Sequence, residues 1–166
     1  MERIEQLLEE SRHVEFVDIA LEEIKKERTE MRGDRRKEET EIEKWCKNKV
    51  RNRDILSLSG KELVDLSCVI GVYLAKKRDA LKTTQIRKML DRFNSIESGM
   101  DKFDKRELIK LKPILAYTAA RNKPTAELVR ILDGAISKVS SVEDFKKICE
   151  FLRGVVAYHK LAGGED

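Results

Sequence analysis

Aromatic residues make up only 5% of this 166-residue sequence, which also has just two prolines, eight glycines, three cysteines and two histidines. So little turn-forming material excludes a turn-rich β architecture. Cys46, Cys68 and Cys149 are odd in number and show no CxxC spacing, which argues against a disulfide framework and a zinc site. Neither His13 nor His159 has a metal-ligand partner at i+4, and no HExxH run occurs. Gly60-Lys61 lacks the upstream glycine of a phosphate loop, and the other glycines are scattered. The most apolar stretch, 63–75, is too short to span a bilayer and contains Asp65. The acidic N-terminal residues have no signal-peptide apolar run. The expectation is a cytoplasmic protein with no membrane association, no cofactor and no bound metal.

Nucleophilic catalysis needs a Ser or Cys beside a base, usually with an orienting acid. His13 lies in a charge-dense segment and is expected to be exposed. His159 projects from the apolar side of a helix and is expected to be a hydrogen-bonded structural residue. Cys68 and Cys149 fall on apolar faces, as small core residues do. Carboxylate pairs such as Glu38/Glu39 and Asp101/Asp104 are common in a chain that is 40% charged, and read as solvated surface. No catalytic residue is expected.

What is abundant is charge, aliphatic residues and helix formers. Residues 1–50 hold 12 Lys/Arg against 15 Asp/Glu, and residues 51–166 hold 23 against 16. The later part is therefore basic, and a basic domain attracts polyanions. No Gly or Pro interrupts residues 1–32, and Leu7, Val14, Val17, Leu21, Ile24 and Met31 fall at heptad-like spacing. This predicts one long amphipathic helix that packs on its own domain or on another chain. Residues 32–44 have Ile42 as their one apolar residue and read as solvated helix or linker.

Ser59 with Glu62 matches a capping box and opens a helix to about residue 78, apolar on nearly all faces and so the buried central helix. Thr83 and Thr84 offer a second cap before the stripe Ile86, Met89, Leu90, Phe93 and Ile96. Pro113 divides or kinks a third segment. Pro124 suits the first turn of the next helix, and Ser141 with Asp144 opens a last helix over 142–161. The expected fold is all-α, a bundle of about five helices with an N-terminal helical arm. Residues 1–45 would form the arm and linker, and 46–166 a helical-bundle domain.

Lys76, Lys77, Arg78, Lys82, Arg87, Lys88 and Arg92 stand against Asp79 and Asp91, a net +5 over residues 76–92. On a helix whose core side is Ile86, Met89, Leu90 and Phe93, residues Gln85, Lys88 and Arg92 share one flank. Arg87 lies on the other flank and can pair with Asp91 at i,i+4. With few aromatics to stack on bases, a nucleic acid would be held by phosphates and sugars, tolerant of sequence and sensitive to salt. Two other readings remain open: a homo-oligomeric protein-interaction scaffold, and a small RNA-processing enzyme.

Lys82-Thr83-Thr84-Gln85-Ile86-Arg87-Lys88 is similar to the Lys-Thr-Thr-Gln-(Ile/Leu)-Arg signature of the small subunit of the type III-A CRISPR–Cas effector, the Csm complex. Leu111-Lys112-Pro113-Ile114-Leu115-Ala116-Tyr117, followed by Ala119-Ala120-Arg121, also matches in order and spacing. So does the stretch from Phe151 ending in Val156-Ala157-Tyr158-His159-Lys160. Together they cover roughly residues 59–161.

The resemblance implies a non-catalytic helical bundle, stacked in several copies inside a ribonucleoprotein filament. Its partners would be crRNA and target RNA, other copies of itself, the large polymerase-like subunit and the backbone subunits. Target cleavage, cyclic oligoadenylate synthesis and DNase activity would belong to other subunits. The basic positions within matching motifs are Lys82, Arg87, Lys88, Lys112, Arg121 and Lys160; the helical-face argument adds Arg92 and Lys123. Thr83 and Thr84 are expected to cap a helix, and Tyr117 and Tyr158 to be core. The first 45 or so residues match no part of the family pattern. The Cmr-type small subunit of type III-B systems is a related alternative that these motifs fit less well.

Overall fold

Reciprocal bonds between Ser59 and Glu62 start the central helix. The Ser59 backbone N–H donates to Glu62 Oε2 at 2.7 Å, and the Ser59 hydroxyl accepts from the Glu62 N–H at 3.3 Å. The computed structural model describes residues 1–31, 38–76, 82–99 and 102–165. Its helices are α1 (Glu2–Glu9), α2 (His13–Glu30), α3 (Glu41–Val50), α4 (Gly60–Lys76) and α5 (Thr83–Ser98). There follow α6 (Lys105–Ile109), α7 (Leu111–Arg121), a 3-10 turn (Lys123–Thr125), α8 (Ala126–Lys138) and α9 (Val142–Leu161). No strand occurs among the described residues, and the class is all-α. The helices outnumber the five expected beside the arm because a break at 10–12, which carries no Gly or Pro, divides the N-terminal part, and because α6 and α7 meet at Lys110.

The chain packs around α4, as the all-round apolar pattern requires. Leu63, Leu66 and every residue of 67–75 are buried. Two glycines set how closely α9 lies against it. A Cβ on Gly71 would fall 2.7 Å from Tyr158 Cβ, and one on Gly154 would fall 2.8 Å from Ser67 Cβ. These pairs run in the same order along both helices, so α4 and α9 are parallel. Ser141 begins α9 as expected, its hydroxyl accepting from the Asp144 N–H at 3.0 Å. Helix α5 lays Ile86, Met89, Leu90 and Phe93 against α9, with Phe93 and Phe145 stacked at 5.9 Å. Pro124 occupies the 3-10 turn that leads into α8.

The N-terminal segment is two helices rather than one. Arg12 N–H donates to the Leu7 carbonyl at 2.8 Å and Ser11 N–H to that of Leu8 at 3.0 Å, while Ser11 has φ 57°. This is a Schellman closure with serine in the left-handed position where glycine is usual. Phe16, Val17, Ala20 and Ile24 of α2 are buried, whereas Val14 is 57% exposed. The apolar stripe thus packs on its own chain. Polar ties reinforce it: His13 Nε2 lies 2.7 Å from Asp65 Oδ1, Arg28 Nη2 lies 2.6 Å from buried Glu43, and Trp45 Nε1 donates to Glu5 at 3.1 Å. His13 is accordingly half-buried and bonded, not exposed as expected, because Asp65 is supplied from 52 residues away. The division expected between residues 45 and 46 falls inside α3, which opens at a Thr40/Glu43 capping box.

Candidate nucleic-acid interface

The Lys82–Lys88 motif forms the start of α5, and its side chains divide the labour. The Lys82 backbone N–H is capped by Gln85 Oε1 at 3.1 Å. Thr83 is not the cap: it is fully buried, and its hydroxyl lies 3.0 Å from His159 Nδ1 on α9. Its backbone N–H donates to the Glu165 carbonyl at 2.7 Å. Gln85 also reaches across to the end of α7, where its Nε2 donates to Asn122 Oδ1 at 2.9 Å. The motif therefore fixes α5 against α9 on one side and α7 on the other.

Between α5 and α7 runs a groove of about 460 Å³, with Gln85, Lys88, Met89 and Arg92 on one wall. Ile114, Tyr117, Thr118, Arg121 and Asn122 form the other. Among the described residues three cations line it and no carboxylate does. Lys88 and Arg92 stand one helical turn apart on the flank expected from the helical wheel, and both are exposed. Arg121 Nη1 donates to the Tyr117 hydroxyl at 3.0 Å. Tyr117 is 62% exposed, not core. Leu111 and Leu115 take the buried face of α7, and Tyr117 is roughly 200° around the helix from Leu115. That offset from the leucine stripe was the available signal for its exposure.

The family described as Csm2 Type III-A matches residues 57–165. This chain belongs to that family. It is also similar to the CRISPR system Cms protein Csm2 of Streptococcus thermophilus, with 32% identity over 93 residues that cover 52% of this chain and 76% of that one. Family membership makes it a small subunit of the type III-A CRISPR effector. The matched region of this Csm2-family chain contains α4 to α9 and the whole groove; α1 to α3 lie outside it.

The other expected contact residues of the Csm2-family region surround the groove or face away from it. Lys82 and Lys123 are exposed near its end, at the start of α5 and in the turn after Asn122. Arg87 is exposed on the opposite flank of α5, and among the described residues no ion pair joins it to Asp91. Lys112 is nine residues before Arg121 and so on the opposite side of α7. It turns to α8, where Nζ donates to Ser137 Oγ at 2.7 Å and lies 3.2 Å from Asp133 Oδ1. Lys160 is exposed near the end of α9. In the basic segment the Lys76 carbonyl accepts from Arg28, while Lys77 and Arg78 lie outside the described residues.

Cys46, Cys68 and Cys149 are all fully buried. Burial pushes the Cys46 and Cys149 thiols up to about 12 and Cys68 higher still, so none carries thiolate. No group of His, Cys, Asp and Glu could hold a metal ion among the described residues. There too, no helix is long and apolar enough to cross a membrane. Tyr158 packs at the core margin, its ring 5.7 Å from that of His13.

Proposed function

We propose that this small subunit is a non-catalytic, cytoplasmic RNA-tracking element of the type III-A effector, holding the sugar–phosphate backbone of crRNA and target RNA without reading bases. The observation that carries this is the α5–α7 groove, where Lys88, Arg92 and Arg121 converge with no carboxylate among the described lining residues. Three converging cations favour a positive potential that a phosphate chain satisfies. Lys82 and Lys123 extend the positive surface at the end of the groove, and Arg87, Lys112 and Lys160 contribute from its outer sides.

In the assembled complex several copies stack beside the backbone subunits and the large polymerase-like subunit, so affinity is shared among copies. Helices α4 to α9 supply the RNA-binding part, and α1 to α3 are clasped to it as a helical arm that leaves the groove open.

The test is RNA binding by the full chain across a salt series. Binding should be indifferent to sequence and should weaken linearly in log–log form. Lys88→Glu with Arg92→Glu should lower affinity and flatten the salt dependence while thermal unfolding is unchanged. Equal binding by the double variant would overturn the placement of the groove. Absence of any RNA affinity, with self-association lost on truncation before Lys47, would favour a protein-interaction scaffold.

A further inference from the structure

Tyr117 presents most of its ring to solvent in a groove wall that faces Lys88 and Arg92. Its hydroxyl is held by Arg121 Nη1 at 3.0 Å, while the guanidinium carbon is 5.6 Å from the ring centroid. Those distances put the guanidinium at the hydroxyl edge rather than over the ring centre. The ring is thus oriented at its polar end and keeps an open face. Arg121 pairs with the ring at i,i+4, and the 62% exposure of Tyr117 leaves ring surface for a further partner. A flat π surface beside phosphate-binding cations is the arrangement that stacks nucleobases.

We propose that Tyr117 is a stacking platform, and that the groove takes an unpaired nucleotide of an RNA strand. The phosphates of that nucleotide and its neighbour would meet Lys88 and Arg92, and its base would lie on the Tyr117 ring. Arg121 is a positioning residue that sets the ring and adds a cation beside it. A base inside a duplex is covered above and below by its neighbours, so only an unpaired or splayed base can use the site. Stacking tolerates every base, because each has a π face, so the site adds affinity without sequence preference. This rests on the RNA reading above and adds to it a non-ionic component.

The experiment measures affinity of the full chain for single-stranded polyuridine and for an RNA duplex of equal length, across a salt series. A second single strand carries 2-aminopurine as a stacking reporter. Tyr117→Ala and Tyr117→Leu should weaken single-strand binding about tenfold, with the salt slope of the wild type and little change for duplex. Tyr117→Phe should keep the stacking and most of the affinity, losing only what the Arg121–hydroxyl bond contributes by setting the ring, and the reporter should be quenched by wild type and Tyr117→Phe alone. Single-strand affinity and quenching that survive in Tyr117→Leu would overturn the stacking site while leaving the RNA reading intact. Wild-type protein without salt-dependent RNA binding would instead overturn the RNA reading, and the platform with it.

Discussion

The Thr83 hydroxyl lies 3.0 Å from His159 Nδ1, both side chains are fully buried, and 76 residues separate them in the chain. The bond joins the first turn of α5 to the last turn of α9, so the groove's α5 wall is held by a residue 76 positions further along the chain. Thr83→Val keeps the shape and removes the hydroxyl, leaving that nitrogen without it. The expected cost is about 1–3 kcal/mol, read as a lower urea midpoint with unchanged m-value. A variant as stable as wild type would mean that the bond contributes nothing net.

The close approach of α4 and α9 makes a contrast between two glycines. Gly71→Ala would set a methyl 2.7 Å from Tyr158 Cβ and 2.8 Å from the His159 backbone nitrogen. Helix backbone cannot yield cheaply, so a loss of about 1–3 kcal/mol or more is expected. Gly134, exposed in α8, has nothing within 4 Å of an added Cβ. Gly134→Ala should therefore stabilise by about 0.4–1 kcal/mol, since alanine has less unfolded-chain freedom to lose. Thermal unfolding of the two variants side by side checks both signs.

Acid should weaken the fold through its cap carboxylates. Hydrogen bonds from the Ser140 backbone and hydroxyl hold Asp144 below its ordinary 3.8, and the Ser59 backbone holds Glu62 below 4.5. A carboxyl lowered in the folded state stabilises above its unfolded pKa and loses that contribution as pH falls through the folded value. Stability should accordingly drop as pH falls below the ordinary carboxylate range. Asp144→Asn should show a shallower drop in the same window, measured by denaturant unfolding at a series of pH values.

Lys88 and Lys112 should differ in their effect on RNA binding. Lys112 already spends its ammonium on Ser137 and lies beside Asp133, whereas Lys88 lines the groove. Lys88→Gln should reduce the salt slope by about one unit. Lys112→Gln should change it less, and a larger effect at Lys112 would move the RNA path to the α7–α8 side.

Local signals in the sequence proved dependable where both partners lie within one helical turn. Ser59 with Glu62, Ser141 with Asp144, and Pro124 all sit where their spacing placed them. Ser11 escaped because the left-handed turn there uses neither glycine nor asparagine. Thr83 escaped because its partner comes from α9, so a hydroxyl that looked like a cap became a tertiary tie. Residue type points Tyr117 to the core, since aromatics favour cores, yet its angular position on α7 takes it off the buried stripe.

The sequence by itself determined the all-α class, the buried central helix and the shared flank of Lys88 and Arg92, because helical periodicity needs no more than a few neighbouring residues. It also determined the family, through motifs that lie within the matched region. Only the tertiary structure decided that α7 supplies the opposing wall, with Arg121 and Tyr117 on it. Helical periodicity places residues around one axis. The residues that face one another across a groove depend on how two axes pack, and that is settled by contacts distant in the chain, such as Gln85 with Asn122 and Thr83 with His159.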